Sequence, residues 1–501
     1  MKNKTGVCRA LLLVGMGLMI PCYLFTAGNT LLSPWPLYDR NRLALCLLTP
    51  LCLLLLLLLG RAAKAKVFET HERAVLLGFA AFYFVIQLVM ASALRFTPVT
   101  DLEQCVTAAR RLAQTGAFGD SERSLIYFGR YPHNMGLVYL LAGIFKAADA
   151  LGADELMAAA LVCGLLFSMG LLCAARLCRR LGGAQAQARA LLLFATCLPF
   201  LYCTSELYTD AFSVAFAPMI VFAFLKARDA GSRKERALWA LLFAVCTFFG
   251  AQIRFPTIIA AIACLIAALF EKRAKLTALL AAPLALVFAV GGSAVNAANK
   301  ANLGAANIAQ NKLPKLHYIA MGLPVQSDEG YGQYGYGGWL IFSTSFDDPQ
   351  ARDEALRQEV VDRAYTLAHH PAQLLSTLSR KNLSTFGRGT FNLNEIFEAD
   401  AHEADNAVKQ AVFENGRFNR AYTHLATAMF VAQMALACIA CIQAIRRRDT
   451  RAAPLFLTLL GAFLFLSIWE TRARYFFQFM MILLCAGAMF ETPSMHAAQK
   501  A

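Results

Sequence analysis

Charged side chains are scarce in this chain of 501 residues: Asp, Glu, Lys and Arg together make up 16% of it. Soluble globular domains carry about 25% charged and about 45–50% apolar residues. Here 58% of the residues are hydrophobic, and they occur in uninterrupted blocks of the length that crosses a bilayer, about 17–25 residues. The scarcity of charge excludes a soluble globular protein and predicts an all-α integral membrane protein.

Several familiar site motifs are also missing. The sequence has neither a Walker A phosphate loop nor an HExxH zinc helix. No cysteine occurs between Ala298 and Ala421, the longest polar stretch, and most of the 15 cysteines lie in apolar blocks. Cysteines in such blocks behave as small apolar side chains. Neither a P-loop nucleotide site nor a disulfide framework is therefore predicted.

The apolar blocks predict about twelve transmembrane helices. The predicted spans are residues 10–28, 43–60, 74–94, 156–177, 188–204, 211–226, 236–252, 256–271, 275–297, 422–445, 453–469 and 475–490. Residues 135–150 form a shorter apolar block that contains Lys146 and Asp149, so they predict an interfacial helix on the outer surface.

These spans divide the chain into four parts. We predict an N-terminal transmembrane hairpin with a cytoplasmic loop (1–73) and a transmembrane module (74–297) that includes a catalytic outer loop (95–155). An extracytoplasmic loop region (298–421) and C-terminal transmembrane helices (422–501) follow. Within the loop region, residues 347–370 have the pattern of an amphipathic helix.

Charge predicts the orientation, because Lys and Arg accumulate in short cytoplasmic loops. With both termini inside, the cytoplasmic segments hold about half of the Lys and Arg but fewer than a quarter of the Asp and Glu. The formal net charge of +15 is therefore a topology signal. Nucleic-acid binding, which needs basic residues clustered with aromatics on a soluble face, is not predicted.

Polar residues concentrate at the predicted outer ends of the spans, where they cost free energy and so indicate a function. The candidates are Asp101 and Glu103 in TPVTDLEQ, Arg130 and His133 in RYPHN, Glu206 and Asp210 in SELYTD, Arg254 in RFPT, and Arg472 and Arg474 in WETRARY, which also contains Glu470. His317, in the second outer segment, is a further candidate. These residues are expected to meet at one side of the membrane.

This set of residue types suits transfer chemistry on a lipid phosphate. A carboxylate can act as general base, and arginines can bind a phosphate bidentately. Glu206 and Asp210, four residues apart and expected on one helical face, could orient sugar hydroxyls or share a divalent cation. Each residue also has a structural interpretation: Asp101 as a helix cap, Arg472 and Arg474 as side chains that snorkel to the interface, and the histidines as ordinary loop residues.

The layout resembles the GT-C superfamily of membrane glycosyltransferases. The chain is most similar to bacterial glycosyltransferase family 39, relatives of the protein O-mannosyltransferases and the lipid A aminoarabinose transferase. The segment YPHNMGLVYLLAGIFK resembles the family's stretch after the first outer loop, and LHYIAMGL resembles a phrase common in Gram-positive members. The resemblance covers about residues 74–490. Leu102 separates two acids that are often adjacent in the family, and two extra spans precede the usual first one.

The resemblance implies an inverting transfer of a sugar from a polyprenyl-phosphate donor to an extracytoplasmic acceptor. It implies Asp101 as the catalytic base, Glu206 and Asp210 as a second acidic site, and Arg130 or His133 as the basic residue near the proline. A glycan, a lipid or a protein could be the acceptor, and membrane lipids surround the chain. No cofactor is specified, and a divalent cation stays open.

Three other functions stay open on the sequence. A transporter or flippase of lipid-linked sugars would carry internal repeats and polar groups near mid-membrane, whereas the polar groups here cluster at one surface. A surface polysaccharide ligase or polymerase would use the same lipid-linked substrate. A structural membrane scaffold would have no need for the carboxylates at the ends of the spans.

Overall fold

The computed structural model describes residues 2–35, 41–63, 65–94, 97–119, 121–326, 329–393, 406–414 and 416–491. Every regular element in these ranges is helical, which confirms the predicted fold class. Eight helical stretches among them are long and apolar enough to cross a membrane. These are Gly6–Leu32, Arg42–Ala62, Lys66–Ala93, Glu155–Ala195, Thr209–Asp229, Arg233–Ile253, Ala274–Leu303 and Asn419–Arg446. Shorter apolar helical segments cover Phe255–Phe270, Ala453–Ile468 and Ala473–Ala488. The protein is an all-helical membrane protein, and the count of twelve spans stays a prediction.

Four helices form the N-terminal part: α1 (Lys2–Gly17), α2 (Met19–Leu32), α3 (Arg42–Ala62) and α4 (Ala65–Ala93). The side chain of Asn41 caps α3 by accepting a hydrogen bond from the backbone N–H of Ala44 (3.1 Å). Many leucines on the outer face of α3 are exposed. That exposure is expected of a helix whose outer face contacts lipid.

Three short helices follow: α5 (Thr100–Thr115), α6 (Glu122–Arg130) and α7 (Met135–Ala150), the last preceded by a 3-10 turn at Pro132–Asn134. The helix predicted at 135–150 is thus confirmed, with the same bounds. Its buried face packs against α5 and against the helix that follows. Its predicted position along the outer membrane surface stays a prediction.

Helix α8 (Glu155–Ala195) reverses direction at Gly183, which has a left-handed φ of 73° that glycine adopts without strain. Tyr83 shows the reversal. Its hydroxyl donates to the backbone oxygen of Phe194 (2.8 Å), and its ring lies 5.8 Å from that of Phe167. Residues far apart along α8 therefore lie side by side, as the two predicted spans 156–177 and 188–204 require.

The second of these spans differs from the prediction in its conformation. The α-helix ends at Ala195, and 3-10 turns at Leu198–Leu201 and Cys203–Ser205 replace the expected regular helix. Pro199, which lacks an N–H, lies in the first of these turns. The prediction that 188–204 is one continuous helix is therefore wrong.

The central helices are α9 (Thr209–Ser213), α10 (Phe216–Asp229), α11 (Arg233–Ile253), α12 (Ile258–Phe270) and α13 (Ala274–Leu303). Helix α10 packs against α8 and α11, and α11 packs against α13. Only 6% of the most apolar stretch of α13 is buried, so this long helix lies at the edge of the molecule.

Much of the predicted loop region 298–421 is helical. It contains α14 (Ala305–Asn311), α15 (Lys315–Gly322), α16 (Trp339–Thr344), α17 (Pro349–His369), α18 (Pro371–Phe386) and α19 (Ala407–Val412). Helix α17 confirms a helix at 347–370, and Asp348 caps it by accepting from the N–H groups of Gln350 and Ala351. The amphipathic pattern predicted for it is not found, because Arg352 and Arg363 are buried while Val361 and Tyr365 are exposed. Three helices end the described chain: α20 (Asn419–Arg446), α21 (Ala453–Ile468) and α22 (Met480–Ala488), with a 3-10 stretch at Ala473–Phe479.

The end of α15 touches the backbone at the end of α21. A Cβ atom built on Gly322 would lie 2.1 Å from the carbonyl oxygen of Ile468 and 2.6 Å from the carbonyl carbon of Trp469. Buried Lys381 contacts both backbone segments, because its Nζ atom donates to the carbonyls of Gly322 and Trp469. Only glycine fits at position 322 without moving the segment that begins at Trp469.

We expect Gly322→Ala to destabilise the protein by about 1–3 kcal/mol, because overpacking against backbone forces the two segments apart. The measurement is the thermal unfolding midpoint of the purified protein in detergent. Gly143→Ala is the matched control, since a Cβ there meets nothing within 4 Å and the position is inside α7. An unchanged midpoint for Gly322→Ala would contradict the close approach.

Candidate functional site

A cavity of about 980 Å³ lies where the ends of several helices converge. Its charged lining is mainly basic. The lining residues with ionisable side chains are Asp101, Arg123, Arg130, His133, Lys312, Lys315, Glu470, Arg472 and Arg474, together with Arg254 and several tyrosines. Seven cationic side chains thus face two carboxylates, which makes the cavity suited to an anionic ligand.

Asp101 is the accessible carboxylate in this cavity. It lies in the first turn of α5, and 44% of its side chain is exposed. The hydroxyl of Tyr127 donates to its Oδ1 atom (2.8 Å), and the side-chain amide of Asn134 donates in turn to that hydroxyl (3.0 Å). The residue before it, Thr100, has a φ of 53°, which a β-branched side chain rarely adopts. Backbone strain of this kind is common at functional sites.

Asp210 lies behind the cavity wall and holds two arginines. It is fully buried, and its carboxylate lies 3.0 Å from Nε of Arg254 and 3.4 Å from Nε of Arg474. Arg254 also donates to the hydroxyl of Thr209 (2.7 Å). Arg474 reaches Asp101 as well, at 3.9 Å. One buried carboxylate therefore fixes two guanidinium groups of the cavity beside the accessible carboxylate.

Aromatic rings complete this arrangement. The guanidinium of Arg254 lies 4.3 Å from the ring centre of Tyr475, and that of Arg474 lies 5.4 Å from the ring centre of Tyr208. A cation over an aromatic face is attracted by the ring quadrupole. The rings thus hold both arginines in place without neutralising their charge.

The sequence expectation for Glu206 and Asp210 is wrong in its geometry. Leu207, between them, has a φ of 50° and breaks the helix, so Asp210 belongs to the short helix α9 and Glu206 follows a 3-10 turn. Glu206 is buried and does not line the cavity. The two acids do not share a helical face, and a shared cation between them has no support in this geometry.

Two other candidates lie away from the cavity lining. Glu103 is on the exposed side of α5, and Gln104 lines the cavity next to it. His317 is buried, and its Nδ1 atom lies 2.7 Å from the hydroxyl oxygen of Ser343. Burial and the positive charge of Arg352 lower the pKa of His317 to about 4, so it is a neutral side chain of the packed interior.

His133 faces the cavity and has a neutral ring at pH 7. Its surface is exposed in the cavity, but the surrounding walls limit hydration of the charged form. This desolvation, together with the positive charge of Arg254, lowers its pKa to about 4. The ring can therefore accept or donate one hydrogen bond without adding to the charge of the site.

Glu470 also lines the cavity. The sequence pattern placed it at the outer end of a span but assigned it no role. It is buried, and the hydroxyl of Tyr475 donates to its Oε1 atom. Burial raises the pKa of Glu470, although Tyr475 and the arginines nearby act in the opposite direction. A signal was present in WETRARY, where an acid stands between an aromatic residue and two arginines.

The glycine-rich segment 329–339 reaches the cavity through Tyr334. The backbone oxygen of Tyr334 accepts from Arg472 (3.2 Å), and the Tyr334 hydroxyl lies 3.0 Å from the hydroxyl of Tyr131. Glu329, at the start of the segment, forms a buried ion pair with Arg363. These contacts hold the segment against the cavity, and it forms part of the wall.

Part of the cavity lining is apolar and aromatic. Phe255, Val295 and Phe465 line it, and the ring of Trp469 is stacked between Tyr318 (5.1 Å) and Phe465 (5.3 Å). A cavity lined by both apolar and cationic side chains matches a ligand that has a lipid chain and an anionic head group.

A protein-held metal does not fit the donor set. Among the described residues no three His, Cys, Asp or Glu side chains are grouped as metal ligands. Asp101 is bound by Tyr127 and Asp210 by two arginines. The described residues therefore form no metal site made of protein side chains alone, and the divalent cation stays open.

Residues 42–495 match a family described as conserved hypothetical integral membrane protein. The chain belongs to this family. No curated protein and no solved structure matches the chain. The family description agrees with the membrane-spanning helices and names no reaction.

Proposed function

We propose that the protein is a membrane glycosyltransferase that moves a sugar from a polyprenyl-phosphate donor to an acceptor, with inversion. The observation that carries this proposal is an accessible carboxylate, Asp101, which has Arg474 3.9 Å away and lies in a cavity lined by five arginines and by apolar side chains. The carboxylate suits a general base, the arginines suit a phosphate, and the apolar side chains suit a lipid chain.

The arginines hold the donor phosphate. Arg254 and Arg474 are fixed by Asp210, and Arg472 is fixed by the backbone oxygen of Tyr334. Donors that are already oriented stabilise developing negative charge without the cost of reorganisation. They act on the leaving phosphate as it gains negative charge.

Asp101 receives the proton of the acceptor. The acceptor hydroxyl oxygen attacks the anomeric carbon and forms the new glycosidic bond. The bond from that carbon to the phosphate oxygen breaks, and its electron pair stays on the phosphate. The hydroxyl proton passes to the Asp101 carboxylate, whose Oδ1 atom is held by Tyr127. Attack and departure occur on opposite faces of the sugar, so the configuration inverts.

The location proposed for this reaction is the extracytoplasmic side of the cell membrane, with both termini cytoplasmic. The excess of Lys and Arg in the short loops at the opposite ends of the helices supports this orientation. The acceptor is then a glycan, lipid or protein of the cell envelope.

The test is turnover of a panel of polyprenyl-phosphate sugars by the purified protein in nanodiscs. We expect release of free polyprenyl phosphate from at least one donor. Tight donor binding without release from any donor would overturn the transferase proposal and favour a flippase. Release that requires an acceptor already carrying a lipid-linked glycan chain would favour a ligase or polymerase.

A further inference from the structure

Helix α6 presents two arginines to the cavity on one face. Arg123, Tyr127 and Arg130 are spaced by four and three residues, so they lie above one another on the helix, and all three line the cavity. Lys312 lines it too, and the N–H of the next residue, Leu313, donates to the backbone oxygen of Arg130 (3.3 Å). Arg123, Arg130 and Lys312 are called the α6 cations below.

The α6 cations differ from the other arginines of the cavity in their counter-charge. Arg254 and Arg474 share the buried carboxylate of Asp210. Within the described part of the chain, the α6 cations have no carboxylate at ion-pair distance, and the Nε atom of Arg130 is buried without a hydrogen-bond partner. Arg130 is partly buried, whereas Arg123 and Lys312 are exposed in the cavity. A partly buried cation without a partner costs free energy, so a bound anion would stabilise Arg130 and could also contact the other two cations.

His133 lies within reach of both groups of cations. Desolvation lowers its pKa most, the charges of Arg254 and Lys312 lower it further, and the charge of Asp101 raises it. The neutral ring therefore adds no charge to the wall. Phe255, which follows Arg254 in the sequence, also lines the cavity, so a donor phosphate bound at Arg254 would have an apolar side chain close by.

We propose that the α6 cations form a second anion-binding subsite, which binds a phosphate or carboxylate group in addition to the phosphate at Arg254, Arg472 and Arg474. This inference rests on the proposed function and narrows its substrates. The second anion belongs either to the acceptor or to a donor linked through a diphosphate. Both sources offer the same chemistry to the guanidinium groups.

The experiment measures binding to the full-length protein in nanodiscs of uncharged lipid. The probes are farnesyl monophosphate, farnesyl diphosphate and inorganic phosphate. The test variant is Arg123→Gln with Arg130→Gln, and the matched control is Arg357→Gln, an exposed arginine of α17. One charge-assisted hydrogen bond contributes a factor of about ten or more in affinity, so changes of this size are expected.

Two results would support the subsite and would identify its ligand. Farnesyl diphosphate that binds about tenfold more tightly than the monophosphate, with the difference lost in the test variant, would assign the second anion to the donor. Equal binding of the two farnesyl probes, with inorganic phosphate binding to the monophosphate-loaded protein and lost in the variant, would assign it to the acceptor.

Binding of all three probes unchanged in the test variant would overturn the subsite. If the test variant unfolds, Lys312→Gln is measured in its place, because it changes only one side chain at the surface of the cavity. These assays do not require sugar transfer. Second-anion binding in a protein that transfers no sugar would overturn the proposed function alone, and transfer without a second anion would overturn the subsite alone.

Discussion

Asp101→Asn is expected to lower the rate of sugar transfer by roughly 10²- to 10⁴-fold, the range that a general base contributes. The amide has nearly the shape of the carboxylate and can still accept from Tyr127. It cannot take the proton of the acceptor hydroxyl. Binding of the donor, which depends on the arginines, is expected to change much less than turnover.

The measurement compares release of polyprenyl phosphate by wild type and Asp101→Asn, with the donor that gives the highest rate. Glu103→Gln is the matched control, because Glu103 is on the same helix but faces away from the cavity. We expect it to retain wild-type turnover. Equal activity of wild type and a folded Asp101→Asn variant would keep the class of reaction but remove Asp101 as its base.

The distinction between Asp101 and Glu103 could not be predicted from the sequence. Two acids separated by one residue in a helix point about 200° apart, so only one of them can face a given cavity. Which one does so depends on how α5 packs against α7. The sequence predicted that this acidic segment belongs to the site, and the packing of α5 decides which of its two acids faces the cavity.

The positions of most apolar helices were predictable from the sequence, because the length and hydropathy of a span are local properties. The hairpin within α8 illustrates this: its two arms follow from the apolar blocks, and Gly183 supplies the turn. The strained break at Leu207 was not predictable, since a leucine in an apolar segment favours continued helix. That break decides where Asp210 points.

The roles of the tyrosines in the site were also not predictable from the sequence. Tyr127 donates to Asp101 from 26 residues along the chain, whereas Tyr475 donates to Glu470 only five residues before it. No local pattern marks either tyrosine as such a donor. The arginines of RFPT and WETRARY were predictable as a group because charge at the end of a span is unusual. Their shared partner, Asp210, depends on tertiary contact.

Asp210→Asn is expected to destabilise the protein by about 3–5 kcal/mol, the cost of removing one partner from a buried ion pair. The side chain of Asp210 has no exposure, and the paired arginines are only 12–13% exposed. Without the carboxylate, two guanidinium groups repel each other in a poorly hydrated wall. The thermal unfolding midpoint in detergent measures the loss.

Asp229→Asn is the matched control for this change. Asp229 pairs with Arg180 and Arg228 but has 37% of its side chain exposed, and exposed pairs contribute about 0–1 kcal/mol. A drop in the midpoint no larger for Asp210→Asn than for Asp229→Asn would contradict the buried network.

The double variant Asp210→Asn with Arg474→Gln separates the two causes of the loss. If repulsion between unpaired arginines dominates, removing Arg474 from the Asp210→Asn background restores part of the stability, because the two changes couple through one contact. Donor binding is expected to be weaker in the double variant than in wild type, since Arg474 is also one of the cations that line the cavity. Recovery of stability without recovery of binding would thus separate the structural role of Asp210 from the ligand-binding role of the arginines it holds.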